Sequence, residues 1–174
     1  KWDLQQAGKR GRIPARVPGD VYGDLVAANE IPDPFYRDNE DGLQWIGESD
    51  WAYSRTFDVD PALFEQDRVV LRCEGLDTLA TVELNGKTLG STDNMFRTYE
   101  WDVRDALKKG RNTIRVTFAN TIDYIARQQE EHPLPWWRGG QLQKAACHGW
   151  IRKEQCNYGW DWGIKAVTCG IWRD

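Results

Sequence analysis

The chain has 174 residues, of which 40% are hydrophobic and 29% are charged, and its formal net charge at pH 7 is −4. This length predicts one domain with a buried core, and this composition excludes an intrinsically disordered chain. The mean hydropathy is −0.70, and no apolar run approaches the ~20 residues of a membrane span. Because the charge supplies no broad basic face, we expect neither nucleic acid nor a membrane as a partner.

The first fifty residues combine turn signals with one short helix. Pro18-Gly19 predicts a turn that follows an entry strand and loop. Asp20 is placed to cap a short helix, whose shared face holds Val21, Leu25 and Val26. Residues 29–50 are rich in Pro, Asp, Asn and Gly and predict a long irregular segment. Such a segment in a compact domain is usually functional or packed against a neighbour.

From Trp51 onward apolar and polar residues alternate, which is the pattern of half-buried β-strands. One face of the first strand holds Trp51, Tyr53, Arg55, Phe57 and Val59. Asn85-Gly86 predicts a tight hairpin, because both residues of such a turn need a positive φ. The predicted strands cover residues 51–59, 68–73, 79–84, 87–90, 113–119 and 167–172, and residues 96–101 predict another strand or a loop.

Helical patterns are short in the second half of the chain. Residues 122–131 predict one or two helical turns ended by His132-Pro133, a loop covers 133–140, and 145–153 predict another short helix. Short strands with turn signals about every 8–12 residues predict an antiparallel β-sandwich or jelly roll. Since the last strand pattern continues to the final residues, we expect the chain to be a piece of a longer protein.

Common catalytic motifs are missing from the sequence, including a GxSxG elbow, a Walker loop, GxGxxG and HExxH. The two histidines, His132 and His148, are interpreted as loop or core residues and not as members of a triad. The cysteine spacings match no zinc site, so we expect no metal and no cofactor. The cysteines are expected to be reduced and mostly buried, and they are Cys73, Cys147, Cys156 and Cys169.

Ten tryptophans are present and concentrate toward the C-terminus, where one motif combines them with a carboxylate. In Gly159-Trp160-Asp161-Trp162-Gly163 the glycines permit a tight bend and two indoles flank Asp161. An indole face stacks on a pyranose ring, and a carboxylate accepts hydrogen bonds from two hydroxyls, so the motif indicates carbohydrate binding. The alternative is a strained turn whose rings fill a core and whose Asp161 caps its own backbone.

This motif and the segments on both sides of it resemble the end of the N-terminal domain of family 2 β-mannosidases. They are 151–156, Tyr158-Gly159-Trp160-Asp161-Trp162-Gly163 and 168–172. Earlier segments follow in the order of that family, and they are 15–21, Ile31-Pro32-Asp33-Pro34-Phe35, Trp45-Ile46, 50–53, Leu76-Asp77-Thr78, Leu84-Asn85-Gly86 and Gly110-Arg111-Asn112. Ile164 departs from the family, which usually has proline at this position.

The resemblance implies an all-β fold, namely a jelly-roll β-sandwich like the galactose-binding domains, with short helices and long loops. Residues 1–174 would form one sugar-binding domain of a retaining exo-β-mannosidase, which removes terminal non-reducing β-D-mannose. The implied partners are a β-mannoside substrate and a (β/α)8 barrel that carries both catalytic glutamates, so no catalytic residue is expected in this chain. Trp160 and Asp161 match the family's positions that reach the −1 subsite.

Three other hypotheses stay open. A free-standing carbohydrate-binding module predicts sugar affinity of the isolated chain. A β-galactosidase or β-glucuronidase domain would share the jelly roll without the Trp-Asp-Trp motif. A purely structural domain predicts that Asp161 is buried in a turn. We expect Arg152 and Lys153 to pair with carboxylates at a domain interface. Localisation stays open, with a bacterial cytoplasm or periplasm expected and the lysosome implied for animal relatives.

Overall fold

The computed structural model describes residues 1–135, 145 and 147–174. Its larger layer is a six-stranded antiparallel sheet made of β1 (Trp2–Gln6), β2 (Ile13–Ala15), β3 (Trp51–Asp58), β6 (Ala80–Leu84), β7 (Lys87–Thr92) and β9 (Arg111–Phe118). Its strands lie in the order β2–β1–β3–β9–β6–β7. Two short antiparallel ladders accompany it, β4 (Val70–Cys73) with β8 (Tyr99–Asp102) and β5 (Leu76–Asp77) with β10 (Gly170–Ile171).

The core lies between the large sheet and the two ladders. The sheet buries side chains from its inner face, among them Leu4, Tyr53, Val82, Val116 and Phe118. The opposite side contributes Leu76 and Ile171 from the β5–β10 ladder, with Leu71 and Trp101 of the β4–β8 ladder half-buried against them. Removing this apolar surface from water is the main force that holds the layers together. The predicted all-β sandwich is therefore confirmed.

The two central strands show where the alternation held and where it did not. In β9 every second residue is buried, as the pattern predicted. In β3 the first four residues, Trp51–Ser54, are all buried and the later ones are not. Ala52 and Ser54 lie on the outer face, but β3 runs between β1 and β9, whose side chains cover such small residues. Arg55 is exposed, with its guanidinium over the ring of Trp2.

The Asn85-Gly86 hairpin is confirmed, since Asn85 has φ 54° and Gly86 has φ 81°. The Asn85 side chain also stabilises the hairpin, because it donates to the Asn112 side chain at 2.8 Å and accepts from the Thr113 N–H at 3.0 Å. At the other end of the sheet, β2 lies in the region that was predicted as an entry strand and loop. It is an edge strand, where Pro14 needs no backbone N–H for the ladder.

The two helices predicted after Asp20 and after Asn120 are present. Asp20 accepts hydrogen bonds from the backbone N–H groups of Tyr22 and Gly23 and so starts α1 (Val21–Ala27). Val26 was predicted on the buried face but is 37% exposed, because it lies 100° around the helix from Leu25. Helix α2 (Thr121–Glu131) is longer than the predicted one or two turns, and it buries Ile122 and Ile125.

The segment 147–174 differs most from the sequence prediction. The described part of residues 145–153 contains 3-10 turns, among them His148–Trp150, and no α-helix, and Ile151 already has an extended backbone. The strand predicted over 167–172 shortens to β10, which pairs with β5, and the carbonyls of Cys169 and Ile171 accept hydrogen bonds from the N–H groups of Val21 and Gly19. Residues 136–140 of the predicted 133–140 loop lie outside the described residues. Further 3-10 helices cover Asn39–Ile46, Pro61–Glu65 and Gln155–Asn157.

All four cysteines are free thiols, with Cys147 and Cys169 buried and Cys73 and Cys156 half-buried. Burial raises the pKa of the Cys73 thiol to about 11, so this group is a neutral packing residue at physiological pH. In the described ranges, no helix combines the length and the apolar character needed to cross a bilayer.

Candidate functional site

The Trp-Asp-Trp motif lies at the tip of a hairpin-like loop, residues 158–165, which we call the tryptophan loop. Tyr158 and Lys165 form an isolated antiparallel bridge at its base. The backbone N–H of Trp160 donates to the carbonyl of Gly163 at 3.2 Å and closes the tip. Gly159 has φ 95°, a conformation that favours glycine, whereas Gly163 does not need it. The reversal leaves the residues between these points projecting outward.

The residues of the tip face different surroundings. Asp161 is exposed, and no hydrogen bond or ion pair from any described residue reaches its carboxylate. It is therefore neither buried in the turn nor capping its own backbone. Trp160 is half-buried and lines a depression with Leu134, Pro135, Cys147, His148, Gly149 and Gln155. Trp162 is 71% exposed on the other side. Both predicted sugar-binding residues, Trp160 and Asp161, thus belong to one projecting loop.

One side of the loop base is held by a buried aromatic stack. The Tyr158 hydroxyl donates to Oγ1 of Thr121 at 3.1 Å, which ties the loop to the start of α2. The Tyr158 ring stacks on His148, with the ring centroids 5.0 Å apart and the planes 1° from parallel. Burial raises the pKa of Tyr158 and lowers the pKa of His148, so both groups are kept neutral. The loop therefore stands on an uncharged, close-packed base.

The other side is held by the 3-10 helix Asn39–Ile46, within the segment predicted to be irregular. Glu40 accepts a hydrogen bond from the Lys165 backbone N–H at 2.6 Å, and the Lys165 Nζ donates to Asp41 at 2.9 Å. The hydrogen bond with Asp41 raises the pKa of Lys165. Gln44 donates to the Lys165 carbonyl at 2.9 Å. The segment 29–50 thus packs against the loop and helps to fix its position.

Lys153 and Asp77 form an ion pair in the interior, and the Thr78 hydroxyl also donates to the Asp77 carboxylate. The Lys153 side chain has no exposed surface, so it is unable to touch a sugar. The expectation that Lys153 pairs at a domain interface is corrected: it pairs with a carboxylate inside this domain. Arg152 remains exposed. The pair joins the segment before the tryptophan loop to strand β5.

A cleft of about 510 Å³ opens beside the loop, between it, α1 and the residues that follow Ile31. We call it the Trp162 cleft. Its lining includes Asp20, Val26, Asp33, Pro34, Phe35, Cys156, Trp162, Ile164 and Thr168. Phe35 is 76% exposed, so two large aromatic side chains are left open to solvent here. The sequence motif Ile31-Pro32-Asp33-Pro34-Phe35 marked this segment, but nothing in it indicated that Phe35 would share a cleft with Trp162.

The chemistry of the site is that of binding. The lining of the Trp162 cleft is largely apolar, and burial, followed by the nearby Glu154, raises the pKa of the Cys156 thiol. Among residues 1–135, 145 and 147–174 no group of three or more His, Cys, Asp or Glu side chains is placed to hold a metal ion. An exposed carboxylate and aromatic rings on a firmly held loop are suited to bind a polyhydroxylated ligand.

Comparisons with known proteins show which family the chain belongs to. The family model for the glycosyl hydrolase 2 galactose-binding domain-like domain matches residues 2–173. The chain is 37% identical over 177 residues to the beta-mannosidase of Capra hircus, which covers 99% of this chain and 20% of that protein. Its identity to beta-mannosidase A of Emericella nidulans is 40% over 180 residues, which covers 99% of this chain and 18% of that protein.

A solved structure gives the same result. The crystal structure of beta-D-mannosidase from Dictyoglomus thermophilum superposes with a TM-score of 0.91 at 34% identity, over 99% of this chain and 21% of that one. The chain thus spans about a fifth of the length of these relatives. The matches confirm the family resemblance of the sequence and the all-β jelly-roll class. The chain belongs to the glycosyl hydrolase 2 galactose-binding domain-like family.

Proposed function

We propose that residues 1–174 form the N-terminal domain of a retaining exo-β-mannosidase, in which the tryptophan loop reaches the −1 subsite and binds the terminal mannose. The longer protein that contains this domain is called the parent enzyme below. The observation that carries the proposal is the exposed Asp161 carboxylate, which has no partner among the described residues and lies at the tip of a loop held on both sides. The relatives at 34–40% identity, all named as β-mannosidases, support the choice of sugar.

In this proposal the domain provides binding, and the bond-breaking groups lie elsewhere in the parent enzyme. A retaining glycosidase needs an acid/base and a nucleophile about 5–5.5 Å apart on a rigid support. Asp161 accepts hydrogen bonds from two hydroxyls of the terminal mannose, and Trp160 provides an apolar surface beside them. Because the loop is already fixed by Tyr158 and Lys165, little ordering is needed when the sugar binds.

The test compares the parent enzyme with its Asp161→Asn variant on aryl β-mannoside, β-galactoside and β-glucuronide. Losing one charged hydrogen-bond acceptor should lower kcat/KM on the mannoside about 10–150-fold, or about 1.5–3 kcal/mol, at unchanged Tm. Asp67→Asn is the matched control, since Asp67 is also an exposed aspartate but lies far along the chain from the loop. The isolated 174 residues should be inactive on all three substrates.

Three results would contradict the proposal, each in favour of a different hypothesis. Normal mannoside cleavage by Asp161→Asn with an early Tm would make Asp161 a structural turn residue. Faster cleavage of the galactoside or glucuronide would place the parent enzyme in another branch of family 2. Tight mannose binding by the isolated chain would favour a free-standing carbohydrate-binding module.

A further inference from the structure

The Trp162 cleft begins where the tip of the tryptophan loop ends. Trp162 follows Asp161 directly, and the hydrogen bond between Trp160 and Gly163 holds both residues in the same turn. Asp161 and Trp162 are therefore consecutive exposed residues of one tip, and Trp162 lines the cleft. Across the cleft Phe35 presents a second exposed ring. Exposed apolar side chains that are grouped in one concavity mark a binding surface, whereas singly scattered ones are common on any protein surface.

The polar groups of the cleft select the class of ligand. Asp33 uses Oδ1 to accept from the Phe35 N–H at 2.9 Å, while its Oδ2 has no partner among the described residues. The Thr168 hydroxyl donates to Asp20 at 3.1 Å and keeps a lone pair free to accept another bond. The described lining contains two carboxylates and neither lysine nor arginine. Aromatic rings beside carboxylates that have no cation near them in the lining fit a neutral sugar ring with hydroxyl groups. The same carboxylates repel an anionic sugar.

The walls of the cleft are preformed. The cap that Asp20 gives to α1 fixes one wall, and the turn around Asp33 fixes the wall that carries Phe35. The hydrogen bond from the Ala166 N–H to the Asn157 carbonyl, at 3.1 Å, closes the third side next to the loop. A cavity of about 510 Å³ lies within the range of about 300–1,000 Å³ that is usual for small-molecule sites.

We propose that the Trp162 cleft is the leaving-group subsite of the parent enzyme, which binds the neutral hexose attached to the terminal mannose by stacking it on Trp162. This inference rests on the proposed function, because the terminal mannose must lie at Asp161 for the next ring to reach the cleft. It places the selectivity of the parent enzyme for the second sugar within residues 1–174. Phe35 bounds the same ring from the opposite side.

The experiment uses two substrates that differ only in the leaving group, β-1,4-mannobiose and β-mannosyl fluoride. Fluoride has no ring, so the cleft contributes nothing to its release. In the parent enzyme Trp162→Ala should lower kcat/KM on mannobiose about 10-fold and leave the value on the fluoride within about 2-fold. Trp162→Phe should recover most of the loss, and Phe35→Ala should show a smaller loss of the same kind. Both side chains are exposed, so these variants should fold normally.

Two controls separate this inference from the proposed function. Phe96→Ala removes an aromatic ring that is 63% exposed but does not line the cleft, and it should leave kcat/KM unchanged on both substrates. Asp161→Asn should lower kcat/KM by the same factor on both substrates. Equal losses on both substrates with Trp162→Ala would overturn the inference, since Trp162 would then act on the mannose itself.

Other outcomes are equally decisive. No loss on either substrate, together with a lower Tm of the parent enzyme, would show that another part of that enzyme covers the cleft, and the inference would be wrong. If the unmodified parent enzyme hydrolyses neither mannoside, the proposed function fails and the leaving-group subsite fails with it. A loss on mannobiose alone supports both.

Discussion

The six-stranded sheet and the segment 147–174 are held in place by different forces. Strands β3 and β9 pair over eight residues each, from Trp51 opposite Phe118 to Asp58 opposite Arg111, and the sheet buries its inner face in the core. The segment 147–174 has one two-residue strand and short 3-10 turns. A few backbone bonds, such as those from Gly19 and Val21, tie its end to α1. The part that carries the tryptophan loop is held by side-chain links, which are Lys153 to Asp77, Tyr158 to Thr121 and Lys165 to Glu40 and Asp41.

This difference indicates that the sheet tolerates single substitutions, whereas the position of the tryptophan loop is sensitive to them. A ladder of many equivalent backbone bonds distributes the cost of any single change. A loop placed by a few buried polar links loses its position when one of them is lost, because each link acts at a single point. We therefore expect substitutions at these links to disturb the tryptophan loop more than substitutions of comparable polar groups beside the sheet.

The largest effect is expected from Lys153→Met. This change leaves the Asp77 carboxylate buried without its cation, so the free energy of unfolding should fall by about 3–5 kcal/mol in urea titrations. Lys165→Met is the matched control, because its partner Asp41 is mostly exposed and the pair should be worth about 0–1 kcal/mol. Equal losses from the two variants would mean that the interior pair does not hold the segment.

A smaller and more selective effect is expected from two tyrosines. Tyr158→Phe removes the hydroxyl that donates to Thr121 and should cost about 0.5–1.5 kcal/mol of unfolding free energy. It should also lower kcat/KM of the parent enzyme on an aryl β-mannoside, since the loop base is loosened. Tyr53→Phe removes a buried hydroxyl that donates to Asp24 at 3.0 Å in the sheet region and should cost about 1–3 kcal/mol.

The tyrosine pair distinguishes position from stability. Urea titration measures the stability of each variant, and steady-state kinetics measures its activity. Tyr53→Phe should lose more stability than Tyr158→Phe and yet keep the proposed mannosidase activity, because Tyr53 belongs to the core of the sheet and Tyr158 to a separate apolar cluster. If activity instead followed stability in both variants, the side-chain links would have no special role in placing the loop.

The same contrast explains what the sequence predicted. Period-two alternation identified β9 and the Asn85-Gly86 hairpin, because a half-buried strand and a positive-φ turn leave local patterns. The pattern over 167–172 was misleading, because only Gly170–Ile171 joins a ladder, whereas the Cys169 carbonyl accepts from the N–H of Val21, about 150 positions earlier in the chain. No local pattern contains such a contact, so the strand was predicted too long.

The site divides in the same way. The Trp-Asp-Trp motif pointed to a sugar-binding loop because its residue types carry that chemistry in any fold. The Trp162 cleft was not predicted, because it needs Phe35 and Trp162, 127 positions apart, to meet on one surface. The buried pairing of Lys153 with Asp77 was missed for the same reason. Residue chemistry is local, whereas burial and proximity are set by the whole fold.

The smallest expected effect is a pH dependence of the loop base. Burial lowers the pKa of His148 below its ordinary value of 6.5, so on acidification the unfolded chain binds the proton before the folded chain does. The contribution of His148 is therefore full above about pH 6.5 and is lost as the pH falls toward the lowered pKa, with a slope of at most ~1.4 kcal/mol per pH unit. His148→Gln should flatten the pH dependence of the unfolding free energy, measured by urea titration between about pH 7 and 5. A slope unchanged by His148→Gln would show that the stacked imidazole is protonated as readily in the folded chain as in the unfolded one, and the base of the tryptophan loop would then not be the dry, neutral support that its geometry indicates.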